Sequence, residues 1–156
     1  MNNEITTQYI DGFPCRTQEP FDFSFLKEYG KVFKVFDEQN SGNICFGVSD
    51  GTNRYFIKFA GVKFMKYHPS FPVSDDIDRL KAAAIKYKEM AHPLLINLIE
   101  AKAVGGGYML VFDWFDGESF SAEIPELHAK FTALQMNTKV LLKADWVRQN
   151  PIIFRV

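Results

Sequence analysis

The chain has 156 residues, 47% apolar and 24% charged, enough for one domain around one core. Its formal net charge of −1 gives no electrostatic case for binding nucleic acid or a membrane surface. The N-terminus lacks a basic and apolar leader pattern, and no run approaches 18 apolar residues, so the expected compartment is the cytoplasm.

The first thirty residues read as a turn-rich arm, punctuated by Gly12-Phe13-Pro14 and Glu19-Pro20. Phe21, Phe23, Phe25 and Leu26 are candidates to dock this arm on the domain; a poorly ordered terminus is the competing expectation. From Lys31 the pattern turns to strand, with Val32, Phe33, Val35 and Phe36 ended by the turn composition of residues 37–42. Asn43 to Ser49 reads as a second strand and Arg54 to Phe59 as a third, joined at Asp50-Gly51, a strong hairpin signal.

An irregular loop from Gly61 to Val73 contains His68-Pro69 and Phe71-Pro72, which forbid a continuing strand or helix interior. Ser74, Asp75 and Asp76 supply capping and first-turn acids for a helix. Ile77, Leu80, Ala84, Tyr87 and Ala91 then recur at helical steps until His92-Pro93 stops the run. Leu94 to Val104 and Tyr108 to Phe115 are two more strands joined at Gly105-Gly106-Gly107, and the apolar run Tyr108–Phe112 predicts burial on both faces. A second helix is expected over roughly Glu126 to Arg148, ended by Asn150-Pro151. The order β-β-β-α-β-β-α predicts an α+β fold, a five-stranded antiparallel sheet with one packed helix.

Three runs carry a resemblance: Tyr55-Phe56-Ile57-Lys58, Ala91-His92-Pro93-Leu94-Leu95-Ile96-Asn97-Leu98-Ile99 and Gly107 to Trp114. With the element order and Asp78-Arg79-Leu80-Lys81-Ala82-Ala83, they resemble the N-terminal lobe of the protein kinase superfamily, more narrowly small bacterial serine/threonine kinase-like proteins, from about Lys31 to Val147. The resemblance implies an N-terminal arm (1–30), a kinase-like small lobe (31–118) and the helical start of a large lobe (119–156). It implies that Lys58 aims an ammonium at the α- and β-phosphates of ATP. Read from spacing alone, Lys58 is instead a solvated lysine on an edge strand. The hinge would be 113–117, with main-chain groups of Asp113 and Phe115 holding adenine, Phe112 behind the base and Glu118 reaching the ribose. The three hinge aromatics Phe112, Trp114 and Phe115 fit plain core positions equally well.

The chain also departs from the family pattern. Aligning the last glycine of a phosphate loop on Gly42 puts Asp37 and Gln39 at the other two glycine positions, an acid where phosphates would lie. The helix position that should offer a glutamate to Lys58 is Ala83, and Glu89 falls on another face. Phe56 replaces the small residue that leaves room beside adenine. No H-R-D-x-x-x-x-N or D-F-G run follows the hinge, so a kinase interrupted near residue 148, or a shortened relative, is expected. ATP binding is then weakened, magnesium is not expected in this chain alone, and no phosphotransfer is expected. The alternative is a pseudokinase-type interaction module that binds a protein partner or another copy through an exposed apolar inter-lobe face. His68, His92 and His128 are too dispersed to suggest zinc, and Cys15 and Cys45 make no disulfide framework.

Overall fold

The computed structural model describes residues 5–38, 42–64, 72–90 and 95–116. The chain divides into two units, residues 1–91 with 97–114, and residues 92–96 with 115–156. The described residues of the second are Leu95, Ile96, Phe115 and Asp116; the helix expected over 126–148 and the His92-Pro93 stop lie outside the described residues.

The first unit contains β1 (Thr6–Ile10), β2 (Phe13–Thr17), a 3-10 turn (Ser24–Glu28), β3 (Lys31–Phe36), β4 (Ile44–Ser49), β5 (Arg54–Ala60), α1 (Val73–Glu89), β6 (Leu98–Val104) and β7 (Gly107–Asp113). β3 to β7 form the five-stranded antiparallel sheet, in the order β3-β4-β5-β7-β6, and β1-β2 make a separate hairpin. The α+β class and a helix packed on five antiparallel strands therefore hold, with one α-helix among the described residues.

Register explains which side chains meet. Directly opposed residues of an antiparallel ladder share a face. Phe36, Cys45, Lys58, Leu110 and Ala101 form one such row, and Lys34, Gly47, Phe56, Phe112 and Leu98 the next row on that face. This is the α1 side, since the Tyr87 ring lies 4.9 Å from Phe112. The alternate residues Ile44, Phe46, Val48, Ile57, Phe59, Met109 and Val111 face the other way into a core completed by Cys15, Phe23, Leu26, Val62 and Phe64. Covered on both faces, β4 is buried over Ile44–Val48 and β7 over Met109–Phe112, where the sequence predicted a two-sided strand.

The arm is thus a structural layer. Phe23 stacks edge-on to Phe46 at 5.2 Å, and Phe25 lies 5.0 Å from Phe59. Its β-hairpin was not expected; Asp11, at φ 50, and Gly12, at φ 90, make the turn that Phe13-Pro14 seemed only to interrupt. Asp11 accepts from the Val32 amide at 2.7 Å, and Gln8 exchanges two hydrogen bonds with the Phe21 backbone.

Several boundaries shift, some by a single residue. β6 begins at Leu98 rather than Leu94, and β7 ends at Asp113 rather than Phe115. α1 starts two residues early: Pro72 occupies the N-cap at ψ 144, where its missing amide costs nothing, and Ser74 makes no cap bond. The buried stripe of α1 is Asp76, Leu80, Ala83, Ala84 and Tyr87. Both cysteines are buried thiols outside any disulfide. No helix among the described residues is long and apolar enough to cross a membrane.

The strongest polar tie between arm and sheet is Arg16 to Asp37. Arg16 donates to the carboxylate from its backbone amide and Nε at 2.9 Å each and from Nη2 at 2.7 Å, while Asp37 is 5% exposed. Burial pushes this carboxyl upward, but the Arg16 hydrogen bonds outweigh it and hold it below the ordinary range. Arg16→Ala is expected to cost about 2 kcal/mol at neutral pH, because it leaves a buried carboxylate short of its charged donor. A carboxyl lowered by folding contributes stability that is full above its unfolded pKa and lost as pH falls through the folded one. The difference between wild type and Arg16→Ala in urea denaturation should therefore shrink from neutral pH to about pH 3.

Candidate functional site

Lys58 sits near the end of β5, the middle strand of the sheet, and is 5% exposed. It is neither solvated nor on an edge. Its neighbours in the ladder are Cys45 on β4 and Leu110 on β7, all three on the α1 side. Neither neighbour carries charge: burial pushes the Cys45 thiol up to about 11. α1 brings one acid to its buried stripe, Asp76, but this lies against Gly42 and pairs with Arg79; the rest of the stripe is Leu80, Ala83, Ala84 and a Tyr87 hydroxyl that burial pushes up to about 12. Ala83 is 2% exposed at the place expected to lack a carboxylate, and Glu89 pairs with Lys86 in solvent at 3.5 Å.

Lys58 is consequently a buried cation with no carboxylate beside it among the described residues. Burial lowers its pKa from the lysine value, and the only opposing influence is Cys45, a thiol that stays protonated near neutrality. An uncompensated buried ammonium costs free energy, which makes it a functional candidate on physical grounds.

Next to it on the same face lies a cluster of rings. Phe56 has Phe36 at 6.0 Å, Phe112 at 6.3 Å and Trp114 at 6.4 Å between centroids, and Phe33 meets Trp114 edge-on at 4.8 Å. A bulge between Val32 and Lys34 brings Phe33 to the Gly47 position. Gly47 makes room for this cluster, since a Cβ there would lie 2.8 Å from both the Phe33 and Trp114 rings. Arg54 stands over the Trp114 ring at 6.0 Å. Phe33, Phe36, Phe56 and Trp114 are half-buried, whereas Phe112 is 2% exposed.

At the expected hinge, the Asp113 amide donates to the Asn97 carbonyl at 3.2 Å, and its carboxylate accepts from Asn97 Nδ2 at 3.0 Å. That amide is engaged within the protein. Phe115 belongs to the second unit, and Glu118 and Gln39 lie outside the described residues. Asp37, which the resemblance puts at a phosphate-loop position, is paired with Arg16 at 2.7 Å. Gly42, at φ 74, has the Asp76 carboxylate where a Cβ would be, so glycine is required there for packing against α1.

A groove of about 580 Å³ runs between α1 and the β6–β7 turn, lined by Ser74, Ile77, Asp78, Lys81, Val104 and Gly107. It includes none of the expected nucleotide-site residues. No group of three or more metal-ligating side chains occurs among the described residues. Sequence reasoning missed the ring cluster because Phe33 and Trp114 meet only through the bulge and the register. The one available signal was the density of aromatics, 16 of them phenylalanine.

Comparison with protein-family models, curated proteins and solved structures finds no match to this chain.

The buried charge has a measurable consequence. Lys58→Met keeps the stem and removes the ammonium, and is expected to stabilise the free protein by about 1–3 kcal/mol at pH 7. A lysine whose pKa falls on folding carries its penalty below the folded value and sheds it as pH rises toward the unfolded value near about 10.4. The advantage of Lys58→Met should therefore narrow in alkaline chemical denaturation. A variant less stable than wild type at pH 7 would contradict the unpaired charge.

Proposed function

We propose that the first unit is a protein-kinase-like small lobe that holds the phosphates of a nucleotide on Lys58 and transfers none of them by itself. The observation that carries this reading is Lys58: buried, with no carboxylate beside it among the described residues, and set between strand and helix where an arriving anion would supply the missing countercharge. The strand order β3-β4-β5-β7-β6, with α1 connecting β5 to β6, supports the same reading. Phosphoryl transfer needs a positioned base and metal ligands, which in this family come from H-R-D and D-F-G runs. Neither run occurs in these 156 residues.

The chemistry available is electrostatic capture. A phosphate beside Lys58 would favour its protonated form and offset the desolvation cost, so ligand and proton uptake are coupled. The ring cluster at Phe56 competes with a base for the same space, which makes binding of ATP weak and largely phosphate-driven. The serine/threonine kinase activity of the family, with ATP and magnesium, is then a matter of descent and not of this chain's own work.

A second reading, an interaction module that docks a protein partner, draws on the half-buried rings of Phe33, Phe36, Phe56 and Trp114. Exposed aromatic surface is typical of interface anchors.

Thermal unfolding with Mg-ATP and with tripolyphosphate tests the choice. A ligand at about five times its Kd adds about 1 kcal/mol, a Tm rise of about 2–4 °C. Both ligands are expected to raise Tm in wild type and neither in Lys58→Met. Phe56→Ala should enlarge the ATP shift over the tripolyphosphate shift by opening the base slot. No shift with either ligand at millimolar concentration would remove the nucleotide reading and leave the interaction module.

A further inference from the structure

The two edges of the large sheet are protected against strand addition. β3 carries Lys31 and Lys34 and a bulge between Val32 and Lys34; β6 carries Glu100 and Lys102 and a bulge between Leu98 and Glu100. Charges and bulges are the usual means of blunting an edge. The hairpin differs. β2 contains Pro14 and Arg16 and continues into a bridge from Thr17 to Phe64. β1, Thr6-Thr7-Gln8-Tyr9-Ile10, has no charge, proline or register shift, and pairs along one side only among the described residues.

Among the described residues, this hairpin is also tied to the rest of the unit by polar bonds. Asp11 binds the Val32 amide, Arg16 grips Asp37, Gln8 is locked to Phe21, and the Gln18 amide donates to Lys63 at 2.7 Å. Thr6, Gln8 and Ile10 turn inward, leaving Ile5, Thr7 and Tyr9 outward, with Tyr9 73% exposed. Of the five exposed large apolar residues described, Ile5, Tyr9 and Phe13 all sit on this hairpin.

We propose that the free edge of β1 pairs antiparallel with β1 of a second copy, joining two hairpins into a four-stranded ribbon across a two-fold axis. The sequence is self-complementary for this. With Gln8 on the axis, Thr7 of each copy lies opposite Tyr9 of the other and Thr6 opposite Ile10, so no charge meets a like charge. The exposed Tyr9 ring gains a β-branched cross-strand neighbour in each copy. A foreign strand would find no charge on β1 to select it. Five-residue strands bury little area, which places the dimer among weak, concentration-dependent ones.

Sedimentation equilibrium of the full chain is the test. Wild type should rise from 17.9 kDa toward twice that mass with concentration. Thr7→Lys/Tyr9→Lys, two outward substitutions that set four positive charges along the seam, should stay at monomer mass. As a positive control for register, Thr7→Cys/Tyr9→Cys should form an intermolecular disulfide under oxidation while native Cys15 and Cys45 stay buried. Wild type at monomer mass up to several hundred micromolar overturns the proposal. So does a Thr7→Lys/Tyr9→Lys protein that associates as wild type does, which would assign the contact to another surface such as the Phe56 rings.

Discussion

The structure depends on a sheet whose two faces must both be covered. Three central strands, β4, β5 and β7, alternate between apolar sets pointing up and down, and neither face tolerates water. One helix closes one side, and a phenylalanine-rich arm tied by the Arg16–Asp37 ion pair closes the other. On the helix side this closure leaves a cation inside. Lys58 pairs with Cys45 and Leu110 in the ladder, and the one acid on the buried stripe of α1, Asp76, is taken by Arg79, leaving Leu80, Ala83, Ala84 and Tyr87. The arrangement sacrifices stability at one residue, and on the proposed function a charged ligand would restore it.

The same burial governs how the site can act. A lone lysine ammonium stripped of water is a strong attractor for phosphate, and the low surrounding polarity strengthens that attraction. The aromatic rings beside it work in the opposite sense for a purine, because Phe56, Phe36 and Trp114 already occupy one another's contact distance. Under the proposed function, charge capture and base exclusion are separable properties of adjacent rows of one sheet. That separation is why a phosphate chain without a base is the informative ligand.

Much of the sheet was legible in the sequence because its signals are local. Asp50-Gly51 marked the β4–β5 hairpin, where Asp50 accepts from the Thr52 and Asn53 amides at 2.8 and 2.7 Å. Gly105 and Gly106, both at positive φ, marked the β6–β7 turn. The helical spacing of Leu80, Ala84 and Tyr87 marked α1. What escaped depends on contacts distant in sequence. Asp37 reads as a misplaced acid until Arg16, 21 residues earlier, is seen to hold it. The arm's hairpin escaped because Phe13-Pro14 signals interruption when the partner strand is only five residues long. Of the expected site, Lys58, Phe56, Phe112 and the absence of an acid at Ala83 come together on the α1 face, whereas the Asp113 amide is spent on Asn97, a pairing that spacing cannot reveal.

The most direct test of the account is the titration of the Lys58 side chain followed by NMR at its ε-carbon, with and without tripolyphosphate. The account requires a midpoint below that of ordinary lysines in the free protein, moving upward when the polyanion binds. An ordinary lysine midpoint unaffected by polyanion would show a solvated or already paired ammonium, and would contradict the central claim.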